Sequence, residues 1–176
     1  MTTPKDMQIG TVHKSNRCGD VTILHYENSL NVIVEFINTG TKIKQESASI
    51  RKGYLIDPLA PTVYGIGYLG IGSYRKKTHK LLYRKWSDML MRCYSEKYLT
   101  KYPTYKGCSV CKEWLNFQTF AAWGEVNWIE GYDLDKDIKV EGNRIYSPES
   151  CMFVSREDNM KHANDKRENK GETNDK

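Results

Sequence analysis

A glycine- and proline-rich segment is the strongest constraint on this fold. Between Pro58 and Gly72 the chain holds two prolines and four glycines among apolar residues. Proline removes a backbone donor and glycine destabilises regular elements, so no long helix or strand is expected there. The segment predicts a linker over residues 58–79 that divides the 176-residue chain into two parts.

The first part carries the pattern of short β-strands. Apolar runs at residues 8–12, 21–26 and 31–36 are separated by turns rich in Asn, Gly and Asp. In the last run Val32, Val34 and Phe36 alternate with polar residues, which predicts one buried face. We therefore predict a small SH3-like β-barrel over residues 1–57, acting either as a docking module or as a structural accessory.

After the linker the apolar period changes to that of helices. A stripe beginning at Leu82 predicts an amphipathic helix from Lys80. A second helix is predicted after Asn116, a favourable N-cap, with Gly124 as its end. Strands followed by helices and a further strand-rich segment indicate an α+β chain. The residues of the first stripe are Leu82, Trp86, Met89, Leu90, Cys93 and Tyr94.

Positive charge is concentrated in one block. The whole chain has a net charge of +5, yet residues 75–112 contain eleven Lys or Arg against two acidic residues. Bases interleaved with tyrosines suit a phosphate backbone, so we predict binding to DNA, most readily double-stranded. A solvated basic helix face is the alternative. The predicted contacts are Arg75, Lys76, Lys77, Lys80, Arg84, Lys85 and Arg92.

Composition argues against membrane and secreted classes. No run approaches the roughly 18 apolar residues of a spanning helix, and the N-terminus lacks an apolar signal core. We expect a cytoplasmic protein without a membrane partner. Five scattered cysteines indicate reduced thiols. Cys108 and Cys111 have the spacing of zinc ligands, but a second close pair is missing, so buried free cysteines are expected rather than structural zinc.

Candidate metal ligands lie near the C-terminus. A strand over residues 133–138 would place Asp133, Asp135 and Asp137 on one side, and clustered carboxylates favour a divalent cation. A second strand is predicted at residues 151–154.

A helix is predicted after that strand, with Ser155 as its N-cap. Asn159 and His162, three residues apart, would share one face of it. The tail over residues 165–176 is polar and charged and is predicted to be disordered.

Residues 80–164, about half of the chain, resemble the HNH, or His-Me finger, endonuclease-like proteins of bacteriophages, including relatives of homing endonucleases. The resemblance implies a C-terminal ββα-metal unit and an infected bacterial host as the setting. The matching motifs are Trp86-x-x-Met89, Arg92-Cys93-Tyr94, residues 105–114, Phe117-x-x-Phe120, residues 134–137 and residues 146–151.

The resemblance also implies roles for single residues. Family sites run Asp-His at the end of the first strand, Asn before the second strand, and Asn or His on the helix. Asp135 matches the first position, Ser150 replaces the middle Asn, and Asn159 matches the last. Asp135 and Asn159 would then hold Mg²⁺ or Mn²⁺, with Asp137 as a further carboxylate ligand.

Lys136 stands where the family has its catalytic histidine. A lysine with its ordinary pKa near 10.4 is almost wholly protonated at pH 7 and is a poor base, although it can clamp a phosphate. His162 is the alternative base. Three functions follow: a metal-dependent endonuclease or nickase with an altered site, a catalytically inactive nucleic-acid-binding protein, or a phage protein that binds a host or defence protein.

Overall fold

The computed structural model describes residues 2–171, and the chain is α+β with an antiparallel four-stranded sheet. The described residues form two compact units. Unit 1 contains those up to Thr62 together with Tyr68–Ile71, and unit 2 contains Val63–Gly67 and those from Gly72 onward. The predicted linker is thus shared between the two units.

Unit 1 is built on its sheet. Its strands are β1 (Val12–Lys14), β2 (Asp20–Asn28), β3 (Asn31–Phe36) and β4 (Lys42–Gln45), each antiparallel to the next, and a short helix α1 (Ser47–Arg51) follows. Val32, Val34 and Phe36 are fully buried, which confirms the predicted inward face of the third strand. The described strands pair in the order β1-β2-β3-β4, so closure into an SH3-like barrel stays a prediction.

A buried carboxylate ties the end of unit 1 to its sheet. Asp57 is 1% exposed. Its Oδ2 accepts a hydrogen bond from the Thr39 hydroxyl at 2.5 Å, and its Oδ1 accepts one from the backbone N–H of Leu59 at 2.8 Å. The Thr41 hydroxyl lies 2.8 Å from that of Thr39. These donors satisfy a charge that would otherwise be costly to bury.

Unit 2 combines four helices and four short strands around an aromatic core. Its helices are α2 (Lys80–Tyr94), α3 (Glu96–Lys101), α4 (Phe117–Asn127) and α5 (Arg156–Gly171). Its strands are β5 (Ser109–Val110), β6 (Asp133–Asp135), β7 (Ile145–Tyr146) and β8 (Met152–Val154). β5 pairs in parallel with β7, and β6 pairs antiparallel with β8.

The predicted stripe of α2 is confirmed, since Leu82, Trp86, Met89, Leu90 and Cys93 are buried. The Trp86 indole is central to this core. Its Nε1 donates a buried hydrogen bond of 2.7 Å to the carbonyl of Trp114. Gly67 lies against it, and a Cβ there would stand 2.3 Å from Leu90, so the segment before α2 needs a glycine for close packing.

The start of α4 was predicted correctly and its end was not. The Asn116 side chain accepts from the backbone N–H of Gln118 at 3.0 Å, as an N-cap does. Gly124 was expected to end the helix, but α4 continues through it to Asn127. This glycine serves close packing inside the helix, because a Cβ at Gly124 would lie 2.8 Å from Leu82.

The C-terminal helix is longer than expected. Residues 165–171, predicted to be disordered, continue α5, which is consistent with the good helix propensity of their Lys, Arg and Glu residues. The remainder of the predicted tail, residues 172–176, lies outside the described residues.

Replacing Asp57 by alanine is expected to lower the free energy of unfolding of unit 1 by about 2 kcal/mol, because Thr39 and the Leu59 N–H lose a buried acceptor. Chemical denaturation followed by circular dichroism measures this. Asp20→Ala is the control, since its side chain is exposed in β2 and its loss should cost less than about 0.5 kcal/mol. Equal effects of the two substitutions would contradict a structural role for Asp57.

Candidate functional site

A pocket of about 300 Å³ in unit 2 is lined by all five predicted catalytic and metal-binding residues, together with other side chains. We call it the site pocket. β6 and the turn after it supply one wall, and α5 supplies another. Its lining residues are Arg92, Thr104, Tyr105, Asp133, Leu134, Asp135, Lys136, Asp137, Tyr146, Asn159 and His162.

Asp135 ends the first strand of this site. Its Oδ1 accepts hydrogen bonds from the backbone N–H groups of Asp137 at 2.6 Å and Ile138 at 2.8 Å. An aspartate that bonds the backbone two residues on forms a turn. The expected strand over residues 133–138 is therefore wrong beyond Asp135. Asp137 still lines the pocket, but from the turn rather than from a strand.

Lys136 is buried and closes the loop that follows. It is 8% exposed, and its Nζ donates to Asp137 Oδ1 at 2.6 Å and to the carbonyl of Asn143 at 2.9 Å. The Nδ2 of Asn143 in turn donates hydrogen bonds to the carbonyl of Lys136 at 2.9 Å and to the carbonyl of Ile145 at 2.6 Å. We call this reciprocal set of bonds the Lys136–Asn143 clamp. Both partners lie at opposite ends of one loop, so the clamp sets the loop's shape.

Ser150 holds the end of the same loop. Its hydroxyl donates to the carbonyl of Ile145 at 2.8 Å and lies 3.1 Å from that of Ser147. Ser150 thus makes a local structural bond.

The helix wall begins as predicted. The Ser155 hydroxyl accepts from the backbone N–H of Asp158 at 3.0 Å and donates to its carboxylate at 2.6 Å, which confirms Ser155 as N-cap. Asn159 and His162 both reach the site pocket, as their shared helix face predicted. Among the side chains that the structure describes, none donates a hydrogen bond to Asn159 or His162 or accepts one from them.

Arg92 belongs to the site pocket rather than to the exposed basic surface. It is half-buried, hydrogen-bonded to Tyr146, and its guanidinium carbon lies 5.9 Å from the centre of the Tyr105 ring. Burial raises the pKa of both Tyr105 and Tyr146, so each phenol is a neutral donor at pH 7. A guanidinium held between two phenols can bind phosphate oxygens.

The other predicted nucleic-acid contacts differ in exposure. Lys85 is paired with Asp133, a residue of the site pocket, and its side chain is only 17% exposed. Five residues are exposed and surround the start of α2. They are Arg75, Lys76, Lys77, Lys80 and Arg84, and we call them the basic surface. Lys76 lies 4.7 Å from the centre of the Tyr83 ring.

The site pocket contains oxygen donors of the type that magnesium prefers. Asp135 Oδ2 accepts no hydrogen bond in the described part of the chain, and the Asn159 amide lies in the same pocket. Residues 2–171 contain no group of three or more His, Cys, Asp or Glu placed to hold a metal. Mg²⁺ usually keeps several waters and is held by one or two carboxylates together with phosphate oxygens.

The cysteines of the chain are unpaired, and all five are free thiols. Burial raises the pKa of Cys93 to about 12 and that of Cys151 to about 11, so both thiols are protonated at pH 7.

Sequence analysis did not single out Tyr105 and Tyr146, which line the site pocket, or Asn143, which holds Lys136. The bond between Lys136 and Asn143 carries no local signal, because the contact spans seven residues.

Comparison of the chain with protein-family models, curated proteins and solved structures finds no match. No helix among the described residues is both long and apolar enough to cross a membrane.

Replacing Lys136 by methionine is expected to lower the free energy of unfolding of unit 2 by about 2 kcal/mol, because Asp137 and the Asn143 carbonyl lose their buried donor. Urea denaturation measures it. Lys97→Met, at an exposed position of α3, is the control and should change stability by less than about 0.5 kcal/mol. The clamp would be refuted if both substitutions cost the same.

Proposed function

We propose that this chain is an HNH-like nucleic-acid-binding protein whose unit 2 is a ββα-metal domain with a degenerate, metal-dependent endonuclease or nickase site, joined to an SH3-like module in unit 1. The observation that carries the proposal is the site pocket, where a strand-end carboxylate, a helix amide and imidazole, and a guanidinium line one cavity. Phosphodiester hydrolysis needs these groups: ligands for a cation, a proton acceptor and a cationic clamp.

Each residue has a distinct part in this proposal. Arg92 binds a non-bridging oxygen of the phosphodiester and neutralises charge that grows as water attacks phosphorus. His162 takes the proton of that water, because Lys136 is a hydrogen-bond donor in the clamp and has no basic lone pair while it is protonated. The bond from phosphorus to the leaving oxygen then breaks. Lys136 keeps Asp137 and the loop in place.

Asp135 and Asn159 would hold the divalent cation, which when bound stabilises negative charge on the phosphate and on the leaving oxygen. Asp137 contributes less, since one of its oxygens already pairs with Lys136. Asp133 is similarly engaged by Lys85. The three carboxylates thus differ in how much negative charge they leave for a metal.

The basic surface supplies the binding energy in this proposal. Five exposed cations near the start of α2 suit a phosphate backbone. Lys80 and Arg84, four residues apart, share one helix face. Exposed side chains of this kind contact phosphates without reading sequence.

A catalytically inactive nucleic-acid-binding protein is the second candidate. The clamp favours it, because the residue in the place of the family base is buried and engaged in structure. On this alternative the site pocket binds a phosphate without cleaving it.

Purified protein with Mn²⁺ or Mg²⁺ is expected to convert supercoiled plasmid to the nicked or linear form. Asp135→Asn keeps an acceptor for the turn but removes the charge, and should slow cleavage roughly a hundredfold or more. His162→Ala should have a similar effect. Glu130→Gln, an exposed carboxylate outside the pocket, is the matched control. If wild-type protein leaves the plasmid intact with either metal, the nuclease proposal is contradicted and the catalytically inactive nucleic-acid-binding protein remains.

Duplex DNA is expected to bind with strong salt dependence. Replacing Lys77, Lys80 and Arg84 together by alanine should weaken binding and reduce the slope of log K against log salt by about 0.9 for each lost phosphate contact. Fluorescence anisotropy across a salt series measures this. Lys44→Ala, an exposed lysine of unit 1, should leave the slope unchanged. Binding that does not vary with salt would refute both candidates.

A further inference from the structure

A second cavity of about 300 Å³ adjoins the site pocket. The two share His162, and the neighbouring residues Asp137 and Ile138 line one each. The second cavity therefore lies beside the place where the proposed function puts a phosphodiester. Its lining residues are Ile138, Met152, Val154, Asp158, Lys161, His162 and Asp165.

The floor of this cavity is apolar. Val154 is buried, while Ile138 and Met152 are half-buried and turn part of their surface to the cavity. A flat ring can pack on such side chains, and the sulfur of methionine makes favourable contacts with aromatic rings. The site pocket offers charged and polar side chains instead. The site pocket thus suits the charged phosphate of a nucleotide, and the apolar floor of the second cavity suits its flat base.

The rim is polar and comes from one face of α5. Its residues Asp158, Lys161, His162 and Asp165 follow helical spacing. One oxygen of Asp158 is taken by the Ser155 hydroxyl. Asp165 accepts no hydrogen bond from the described residues and is exposed at the rim.

We propose that the second cavity binds a nucleobase, and that it prefers cytosine or guanine; this inference rests on the proposed function, which supplies the adjacent phosphate. Carboxylates accept hydrogen bonds from exocyclic amino groups, as acidic residues do from cytosine N4. Lys161 donates to a ring carbonyl. Cytosine and guanine each carry an amino group and a carbonyl, whereas adenine lacks the carbonyl and thymine lacks the amino group.

Isothermal titration of the full chain in Mg²⁺ tests this with dCMP, dGMP, dAMP, dTMP and deoxyribose 5-phosphate. We expect dCMP or dGMP to bind at least about fivefold more tightly than dTMP, dAMP and the sugar phosphate. Asp165→Ala should reduce that preference to within about twofold, with the affinity for deoxyribose 5-phosphate unchanged. Glu157→Ala, an exposed acid of the same helix outside both cavities, should leave every affinity unchanged.

The outcomes separate the two proposals. Equal binding of all four nucleotides and the sugar phosphate overturns the base site and leaves the phosphate pocket intact. If the preference for dCMP or dGMP persists in the Asp165→Ala variant, the role assigned to Asp165 in base recognition is overturned. Absence of binding by every probe, the sugar phosphate included, overturns the base site together with the proposed phosphate pocket.

Discussion

The buried indole of Trp86 is the contact on which unit 2 depends. It donates to the carbonyl of Trp114 and packs against the rings of Tyr83 and Phe117, with centroids 5.6 and 5.3 Å away. This contact joins α2 to the chain just before α4. Because a helix buries only one face here, the rest of α2 is free to present Lys85 and Arg92 toward β6 and the site pocket.

Several residues of the site pocket serve structure and ligand binding at once. Asp135 forms the turn with one oxygen and leaves the other open. Lys136 has no such spare group, since its ammonium is engaged in the clamp. Because Lys136 is engaged in loop closure, the proposed site must take its proton acceptor from another residue. This is why the proposed chemistry falls to His162 on α5.

Local features were predictable and tertiary ones were not. The apolar stripe of α2 and the caps Asn116 and Ser155 depend on neighbours within a few residues, and all three are confirmed. Gly124 predicted a helix end, but α4 continues through it, and the glycine instead allows close packing against Leu82. The ion pair of Lys85 with Asp133 was not predictable from the sequence, because the two residues lie far apart in the chain.

The order of residues already indicated which side chains belong near each other at the C-terminus, because strand alternation and helical spacing are short-range rules. It placed Asn159 and His162 on one helix face and counted Asp135 among the carboxylates. Only the tertiary structure decided that Arg92 joins them, that Lys136 is buried, and that a second cavity lies alongside. Those outcomes depend on contacts between segments far apart in the chain, whose geometry no local pattern encodes.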